Sequence, residues 1–159
     1  MTRLWGRAER GQRIAEATPQ GHWQVLTILG ALRLRGVVAP MTIESATDGD
    51  VFLAYLEQVL CPTLQPGDVV VMDNLSAHKV QGVRELLAAT GAELLYLPPY
   101  SPDFNPIEQA WSKLKSLLRT TKARTAEALE RAVAEAFQAI TADNAVAWFR
   151  HCGYGLHQP

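Results

Sequence analysis

The sequence predicts an α/β domain in which a mixed β-sheet carries helices on its faces. Strand-like segments come first, and helical and strand-like segments then alternate along the chain. A short continuous apolar run at residues 68–73 is typical of a strand buried on both faces. Two stretches near the C-terminus repeat apolar residues at helical spacing. A single domain of this class fits 159 residues, which can bury a core without disulfides or metal.

The composition predicts a soluble cytoplasmic protein. Hydrophobic residues make up 48% of the chain and charged residues 19%, which is typical of a globular protein and not of a disordered one. No apolar run approaches the roughly 18 residues that a membrane helix needs, and the first residues lack the apolar segment of a signal peptide. Cys61 and Cys152 have no spacing typical of a metal site, so we expect reduced thiols.

The first predicted elements are strands. Residues 22–30 and 31–43 are rich in β-forming residues and mildly alternating, which predicts two or three strands with turns at Gly30 and Gly36. A helix is expected next, over residues 47–60, because its apolar residues fall on one helical face. Thr47 or Asp48 is the expected cap, and Pro62 ends the helix.

Helices and strands alternate in the rest of the chain. In order, we expect a strand at residues 68–73, a helix at 79–89, a strand at 93–97, and helices at 106–118 and 125–140. Residues 98–106 (PPYSPDFNP) have four prolines in nine residues, so we expect a rigid loop there. We find no internal repeat or linker, and we expect residues 1–159 to form one domain.

Charge is distributed unevenly although the net charge is only −1. Residues 1–40 carry six arginines against two acids, and residues 41–110 carry ten acids against two bases. Residues 111–125 carry no acid and five bases, namely Lys113, Lys115, Arg119, Lys122 and Arg124. An acidic centre between basic flanks suits a metal site beside a phosphate-binding surface, although ordinary surface clustering explains the pattern about equally well.

Two carboxylates are candidate metal ligands. Asp73 ends a predicted parallel strand, where α/β sheets bind ligands, and it could instead cap a turn. Glu108 opens a predicted helix, and Asn105, Pro106 and Glu108 also match a capping box. The rigid loop before Glu108 and the cationic residues in line with it at helical spacing favour a site that binds a hard cation and phosphates.

The two carboxylates together indicate a protein family more specifically than either does alone, because 34 residues separate them and distinctive segments surround them. Residues 72–78 (MDNLSAH), 97–108 (LPPYSPDFNPIE) and 111–115 (WSKLK) closely resemble the DDE-type transposases of mariner-like bacterial insertion sequences, the insertion-sequence 630 group. Residues 5–7 (WGR) and 11–13 (GQR) are similar to a segment upstream of that family's hairpin strands.

The resemblance implies a ribonuclease-H-like fold, a mixed sheet flanked by helices, and a DDE endonuclease or integrase-type catalytic domain. It implies that Asp73 and Glu108 are the second and third acids of a catalytic triad. They would hold two Mg²⁺ or Mn²⁺ ions for DNA cleavage and strand transfer. Asn74 and His78 would lie behind the metal ligands or face DNA, with packing or capping as equal alternatives. The implied partners are DNA, both transposon ends and target, and a second copy of the chain in a homodimer.

The chain departs from the family pattern at its beginning. The family's first acid precedes the segment that here starts at Trp5, and none of the four residues before Trp5 is acidic. We therefore expect the fold to lack all or part of its first strand, the helix-turn-helix domain to be absent, and the chain to be inactive alone. Two other interpretations stay open, which are a ribonuclease-H-like nuclease and a decayed, non-catalytic module for DNA binding or dimerisation.

Overall fold

The computed structural model describes residues 7–15 and 25–155. Its elements follow the predicted order, with four strands, β1 to β4, and five helices, α1 to α5. Residues 22–24 of the first predicted strand and the Trp5-Gly6 pair lie outside the described residues. No helix in the described ranges is long and apolar enough to cross a bilayer.

The first strand pair is an antiparallel hairpin of β1 (Thr27–Arg33) and β2 (Gly36–Ile43). The turn predicted at Gly30 is wrong, because Gly30 lies within β1, where the pairing register shifts between Leu29 and Ala31. The extra residue belongs to β2, where Ala39 and Pro40 together lie opposite Gly30, so the bulge is in β2. The chain turns before Gly36, whose φ of +120° is open to glycine and strained for other residues.

The helix predicted over residues 47–60 is present in three consecutive parts. α1 (Gly49–Tyr55) begins after Asp48, whose side chain accepts a 2.9 Å hydrogen bond from the Val51 N–H, as predicted. A π-helical turn over Leu56–Leu60 and a 3₁₀ turn over Cys61–Thr63 continue it. Leu56 is fully buried, so the continuation keeps the apolar face of α1 in the core.

The second strand pair is parallel and joins β3 (Val69–Met72) to β4 (Glu93–Tyr96). Between them lie a 3₁₀ turn over Ser76–Lys79 and helix α2 (Val83–Ala89), which is shorter than the predicted helix. The helix starts late because Gly82, with a φ of +103°, interrupts the helical backbone just before it. The described strands thus form two separate pairs, and neither pair hydrogen-bonds to the other.

The C-terminal part contains α3 (Ile107–Thr121), α4 (Ala126–Gln138) and α5 (Ala142–His151). The first two confirm the predicted helices. Helix α5 was not predicted, although Thr141 and Asn144 form its capping box and could have indicated it.

Two apolar clusters hold the fold together. One packs α1, its π-helical continuation, β3 and α2 around Leu56 and Leu87, and the other packs α3 against α4 around Leu114 and Val133. The β1–β2 hairpin lies between the clusters, because alternate side chains of its strands contact each one.

Candidate functional site

Asp73 directly follows β3, so the strand delivers its carboxylate to the carboxyl end of the parallel pair. Its Oδ1 accepts a 3.1 Å hydrogen bond from the Leu75 N–H, which confirms the turn-capping interpretation for this oxygen. The same Oδ1 lies 2.8 Å from Nδ1 of His78. The second oxygen, Oδ2, has no hydrogen-bond partner in the described part of the chain, and the side chain is 37% exposed. Asp73 therefore keeps an oxygen available for a ligand.

His78 is held firmly beside Asp73. Its ring lies 4.5 Å from the ring of Phe52 between centroids, and its backbone carbonyl accepts a 2.6 Å hydrogen bond from the Tyr96 hydroxyl. The Nδ1 approach to Asp73 is not aligned as a hydrogen bond. His78 therefore contacts the candidate carboxylate directly.

Asn74 has a backbone role. Its side-chain amide donates to the carbonyl of Leu97, immediately after β4, and so ties together the two loops that follow β3 and β4. This contact fixes where the chain leaves the parallel pair and gives Asn74 the packing role that the sequence left open.

Glu108 lies in the first turn of α3, and its side chain is exposed. The predicted capping box is not formed, because Pro106 is the helix cap and no side chain hydrogen-bonds to the helix start. Pro106 already has helical φ and ψ, whereas Asn105 ends the preceding 3₁₀ turn and donates its N–H to the Pro102 carbonyl. The capping explanation of Glu108 is therefore wrong, and the carboxylate is left for another role.

The structure brings Asp73 and Glu108 to the same cavity, which has a volume of about 700 Å³. The cavity runs between β1 and β3. At its far end, beside the start of β3, Arg33 makes a bidentate ion pair with Asp68. The pKa of Asp68 is held below its ordinary value, first by the Arg33 hydrogen bond and next by the Gln65 N–H.

The donor chemistry at Asp73 and Glu108 fits a hard divalent cation. Mg²⁺ is commonly bound by one or two carboxylates, with water and substrate phosphates as its other ligands. Across residues 7–15 and 25–155, no group of three or more His, Cys, Asp or Glu side chains is placed to hold a metal ion together. Asp73 and Glu108 are thus not part of a ready-made cluster of three such side chains in the described part of the chain.

The five predicted DNA-binding bases do not share one environment. Lys115, Arg119, Lys122 and Arg124 are exposed on α3 or just after it. Lys113 is half-buried, and its Nζ donates to the Ala139 carbonyl at 2.7 Å and to the Asn144 Oδ1 at 2.6 Å. For Lys113 the DNA-binding prediction is corrected, because its ammonium group is engaged in joining α3 to the end of α4 and to the first turn of α5.

Sequence reasoning missed several residues around the cavity. Tyr55 lines it with a buried hydroxyl, and Arg33 and Asp68 close one end. The apolar periodicity of the sequence assigned Tyr55 to a helix face, and nothing in it indicated that the hydroxyl meets a cavity.

Comparisons with solved structures show a consistent likeness. The chain is 18% identical to the Mos1 strand transfer complex, with a TM-score of 0.71. The match covers 95% of this chain and 46% of the Mos1 chain. It is 19% identical to the Mos1 transposase paired-end complex with the left transposon end, with a TM-score of 0.72, covering 95% and 46%. The catalytic domain of the Mos1 mariner transposase is 18% identical, with a TM-score of 0.64, covering 80% and 66%.

These similarities confirm the predicted fold class, a ribonuclease-H-like α/β arrangement with small sheets flanked by helices. The chain spans about half the length of the Mos1 chains in the complexes that it matches. No protein of curated function matches its sequence. A family model described as "DDE superfamily endonuclease" matches residues 1–130. The chain therefore belongs to the DDE superfamily endonuclease family.

Proposed function

We propose that this chain is a transposase catalytic domain that cleaves DNA strands and transfers their ends to a target. The observation that supports this most directly is the convergence of Asp73 and Glu108 on one cavity in a chain of the DDE superfamily. The carboxylates come from different elements, a strand end and a helix start, and neither is consumed by an ion pair with a lysine or arginine among the described residues. Two such oxygen donors suit phosphodiester chemistry that depends on a divalent metal.

In this proposal Asp73 and Glu108 hold Mg²⁺ or Mn²⁺. When bound, the ions supply an activated attacking oxygen and stabilise charge on the leaving oxygen. Asp73 offers Oδ2, while the Leu75 N–H and His78 restrain Oδ1 and so fix the orientation of the carboxylate. Glu108 presents its carboxylate from the first turn of α3, where it is exposed to an incoming ligand.

The exposed bases of α3 would bind DNA beside the metal site. Lys115 and Arg119 follow Glu108 on the same helical face at spacings of seven and eleven residues. A phosphate backbone that passes the carboxylates would meet these bases next, and Arg and Lys bind phosphates through charge-assisted hydrogen bonds. Transposon ends and target DNA are the proposed substrates, with a homodimer as the proposed assembly and the cytoplasm as the proposed location.

We also propose that these 159 residues do not complete the catalytic site. The support is that the described residues hold no group of three or more His, Cys, Asp or Glu side chains placed to bind a metal ion together. A purified 159-residue chain is therefore expected not to nick supercoiled DNA in the presence of Mg²⁺ or Mn²⁺. Robust nicking that disappears in Asp73→Ala would overturn this part of the proposal.

Binding of Mn²⁺, measured by electron paramagnetic resonance, tests the carboxylates without requiring activity. We expect the 159-residue chain to bind Mn²⁺ and each of Asp73→Asn and Glu108→Gln to weaken this binding at least tenfold. Asp143→Asn, which removes an exposed carboxylate from the first turn of α5, is the matched control and should leave binding unchanged. Equal Mn²⁺ binding by all four proteins would refute a shared metal site.

Strand transfer separates a transposase from a nuclease of the same fold. A chain that has all of its catalytic groups should join a DNA 3′-hydroxyl end to a target duplex, whereas a nuclease would only cleave. DNA binding that depends on salt but survives loss of both Asp73 and Glu108, without Mn²⁺ binding, would favour a non-catalytic DNA-binding module.

A further inference from the structure

Residues 98–106, the site loop, lead into α3, whose first turn carries Glu108, and most of their side chains are exposed. The N–H groups of Phe104 and Asn105 donate to carbonyls three residues earlier, so these bonds curl the loop without fixing it to the rest of the protein. No side chain hydrogen-bonds to the start of α3 either. The direction in which the Glu108 carboxylate leaves α3 therefore depends on contacts that other segments make with the loop and with the helix.

Tyr154 supplies a contact of this kind. Its hydroxyl donates a 3.0 Å hydrogen bond to the Phe104 carbonyl, which lies four residues before Glu108 and fifty residues before Tyr154. Burial raises the pKa of the Tyr154 hydroxyl, and the neighbouring Cys152 raises it further, so the group stays a protonated donor well above neutral pH. A neutral donor from the C-terminal part of the chain thus holds the site loop.

The end of α5 fixes the position of Tyr154. The Tyr154 N–H donates to the Phe149 carbonyl at 3.0 Å. The Gly153 N–H donates to the Arg150 carbonyl at 3.1 Å, and Gly153, with a φ of +86°, is the left-handed residue of this Schellman motif. The Tyr154 ring also packs edge-on against the Phe149 ring, with centroids 5.4 Å apart. Tyr154 is therefore joined to the last turn of α5 by both its backbone and its side chain.

Helix α5 is in turn joined to α3 beyond Glu108. Lys113 donates from the second turn of α3 to the Asn144 side chain, in the first turn of α5, at 2.6 Å. Ala145 is fully buried, and Trp148 packs against the apolar cluster of α3 and α4. The start of α5 thus meets α3 five residues after Glu108, and the turn after α5 meets the site loop four residues before it. Because these contacts lie on either side of Glu108, α5 runs antiparallel to the first turns of α3.

We propose that residues 141–154 form a brace that positions the Glu108 carboxylate for metal binding, with the Tyr154 hydroxyl as the positioning group. This inference rests on the proposed function, in which Glu108 is a metal ligand. The family model matches residues 1–130, so the brace lies beyond the part of the chain that the model describes. Tyr154 acts through the site loop and is not itself a metal ligand, because its hydroxyl proton is engaged by the Phe104 carbonyl.

A shared metal ion tolerates little displacement of Glu108. Mg²⁺ requires oxygen ligands at about 2.0–2.1 Å in a nearly octahedral arrangement. Glu108 is exposed and stands on a helix start without a side-chain cap, so its own surroundings restrain it weakly. Contacts that hold both carboxylates in place before the ion arrives remove a cost of ordering from the binding step. Asp73 has such a contact in the Leu75 N–H, and the brace supplies the equivalent for Glu108.

Amide hydrogen exchange tests whether Tyr154 restrains the site loop. Tyr154→Phe removes the hydroxyl and keeps the ring that packs against Phe149. We expect the Phe104 and Asn105 amides to exchange about two- to tenfold faster in this variant, since the contribution of one neutral hydrogen bond is lost. The amides of α2, which belongs to the other apolar cluster, should be unchanged. Unchanged exchange at Phe104 and Asn105, or equal acceleration in α2, would overturn the brace.

Binding of Mn²⁺, measured by electron paramagnetic resonance, tests whether this restraint reaches the metal site. Tyr154→Phe should weaken binding about two- to tenfold, the factor that corresponds to one neutral hydrogen bond. Thr90→Val is the matched control, because it removes a hydroxyl that donates to the Leu87 carbonyl at 2.7 Å, at the end of α2. The control should leave Mn²⁺ binding unchanged, and equal affinities of the two variants would overturn the proposal.

A double-mutant cycle shows whether Tyr154 acts through Glu108. The effect of Tyr154→Phe on Mn²⁺ affinity should disappear in a Glu108→Gln background, because no carboxylate is left there to be positioned. It should persist in a Glu130→Gln background, which removes an exposed carboxylate of α4. A general structural effect of Tyr154→Phe would lower the affinity by the same factor in both backgrounds, and that result would overturn the positioning role.

Failure of the brace and failure of the proposed function give different results in these experiments. If Glu108→Gln itself leaves Mn²⁺ binding unchanged, the metal-binding role of Glu108 is wrong and the brace has nothing to position. If Glu108→Gln weakens Mn²⁺ binding and Tyr154→Phe does not, the brace alone is wrong.

Discussion

Lys113 allows a test of which basic residues of α3 stabilise the fold and which of them bind DNA. Its ammonium group donates to the Ala139 carbonyl, at the C-terminal end of α4, and to the Asn144 side chain. Lys113→Met keeps most of the aliphatic stem and removes both hydrogen bonds. We therefore expect a less stable protein whose DNA affinity, measured on the folded protein, does not change.

The expected magnitude follows from the two contacts. A hydrogen bond to a charged group contributes about 1.5–3 kcal/mol when well formed, and the half-buried position of Lys113 reduces that value. A cation at a helix C-terminus adds about 0.3–1 kcal/mol. A loss of about 2 kcal/mol in the free energy of unfolding is a reasonable total, which lowers the Tm of a chain of this size by about 4–8 °C.

The assay compares Lys113→Met with Lys115→Met, an exposed residue of the same helix. Thermal unfolding should show the Tm loss for Lys113→Met and a change within about 0.5 kcal/mol for Lys115→Met. Binding to a DNA duplex over a salt series should show the reverse. Lys115→Met should reduce the slope of log affinity against log salt by about 0.9, and Lys113→Met should leave it unchanged. An unchanged Tm with a reduced slope for Lys113→Met would refute this reasoning.

Three further predictions concern stability. Arg33→Gln should lower the free energy of unfolding at pH 7 by about 1 kcal/mol. The pKa of Asp68 is depressed in the folded state, so the ion pair stabilises above the ordinary carboxyl pKa and is lost as pH falls through the lower one. Urea unfolding from pH 7 to 2 should show the difference between the proteins shrinking below about pH 4. Gly36→Ala should cost more than about 1 kcal/mol in chemical denaturation, because φ is +120° and a Cβ would lie 3.0 Å from the Ile140 carbonyl. Leu114→Ala, at a position 2% exposed, should cost about 2–5 kcal/mol in the same measurement.

Local patterns in the sequence predicted most elements of the fold. The helical spacing of apolar residues located α3 and α4, and the run before Asp73 located β3. The predicted boundaries of helices and strands were wrong where the backbone conformation of a single residue decided them. Gly82 shortened α2, and Gly30, expected at a turn, lies inside β1 opposite a bulge of β2, because a glycine in the sequence does not specify which conformation it adopts.

The site was only partly predictable, because its geometry depends on contacts between distant segments. Asp73 and Glu108 could be selected from their spacing and neighbours, but the local pattern also supported a capping box that does not form. Lys113 belongs to a run of bases in the sequence, and only the tertiary contact with Asn144 distinguishes it from its neighbours. The strand pairing was equally inaccessible, because an apolar run indicates burial on two faces without showing whether a second neighbour is present.

The described contacts fix the backbone around the candidate site without any ligand. Asn74 ties the loop after β3 to the Leu97 carbonyl, and the Tyr154 hydroxyl donates to the Phe104 carbonyl and so secures the loop before α3. Asp73 and Glu108 are thus carried on segments that are anchored by neutral hydrogen bonds, and a metal ion would not have to order those segments when it binds. Conformational entropy of the loops is lost on folding and not on ligand binding, which favours affinity for any ligand that the two carboxylates share.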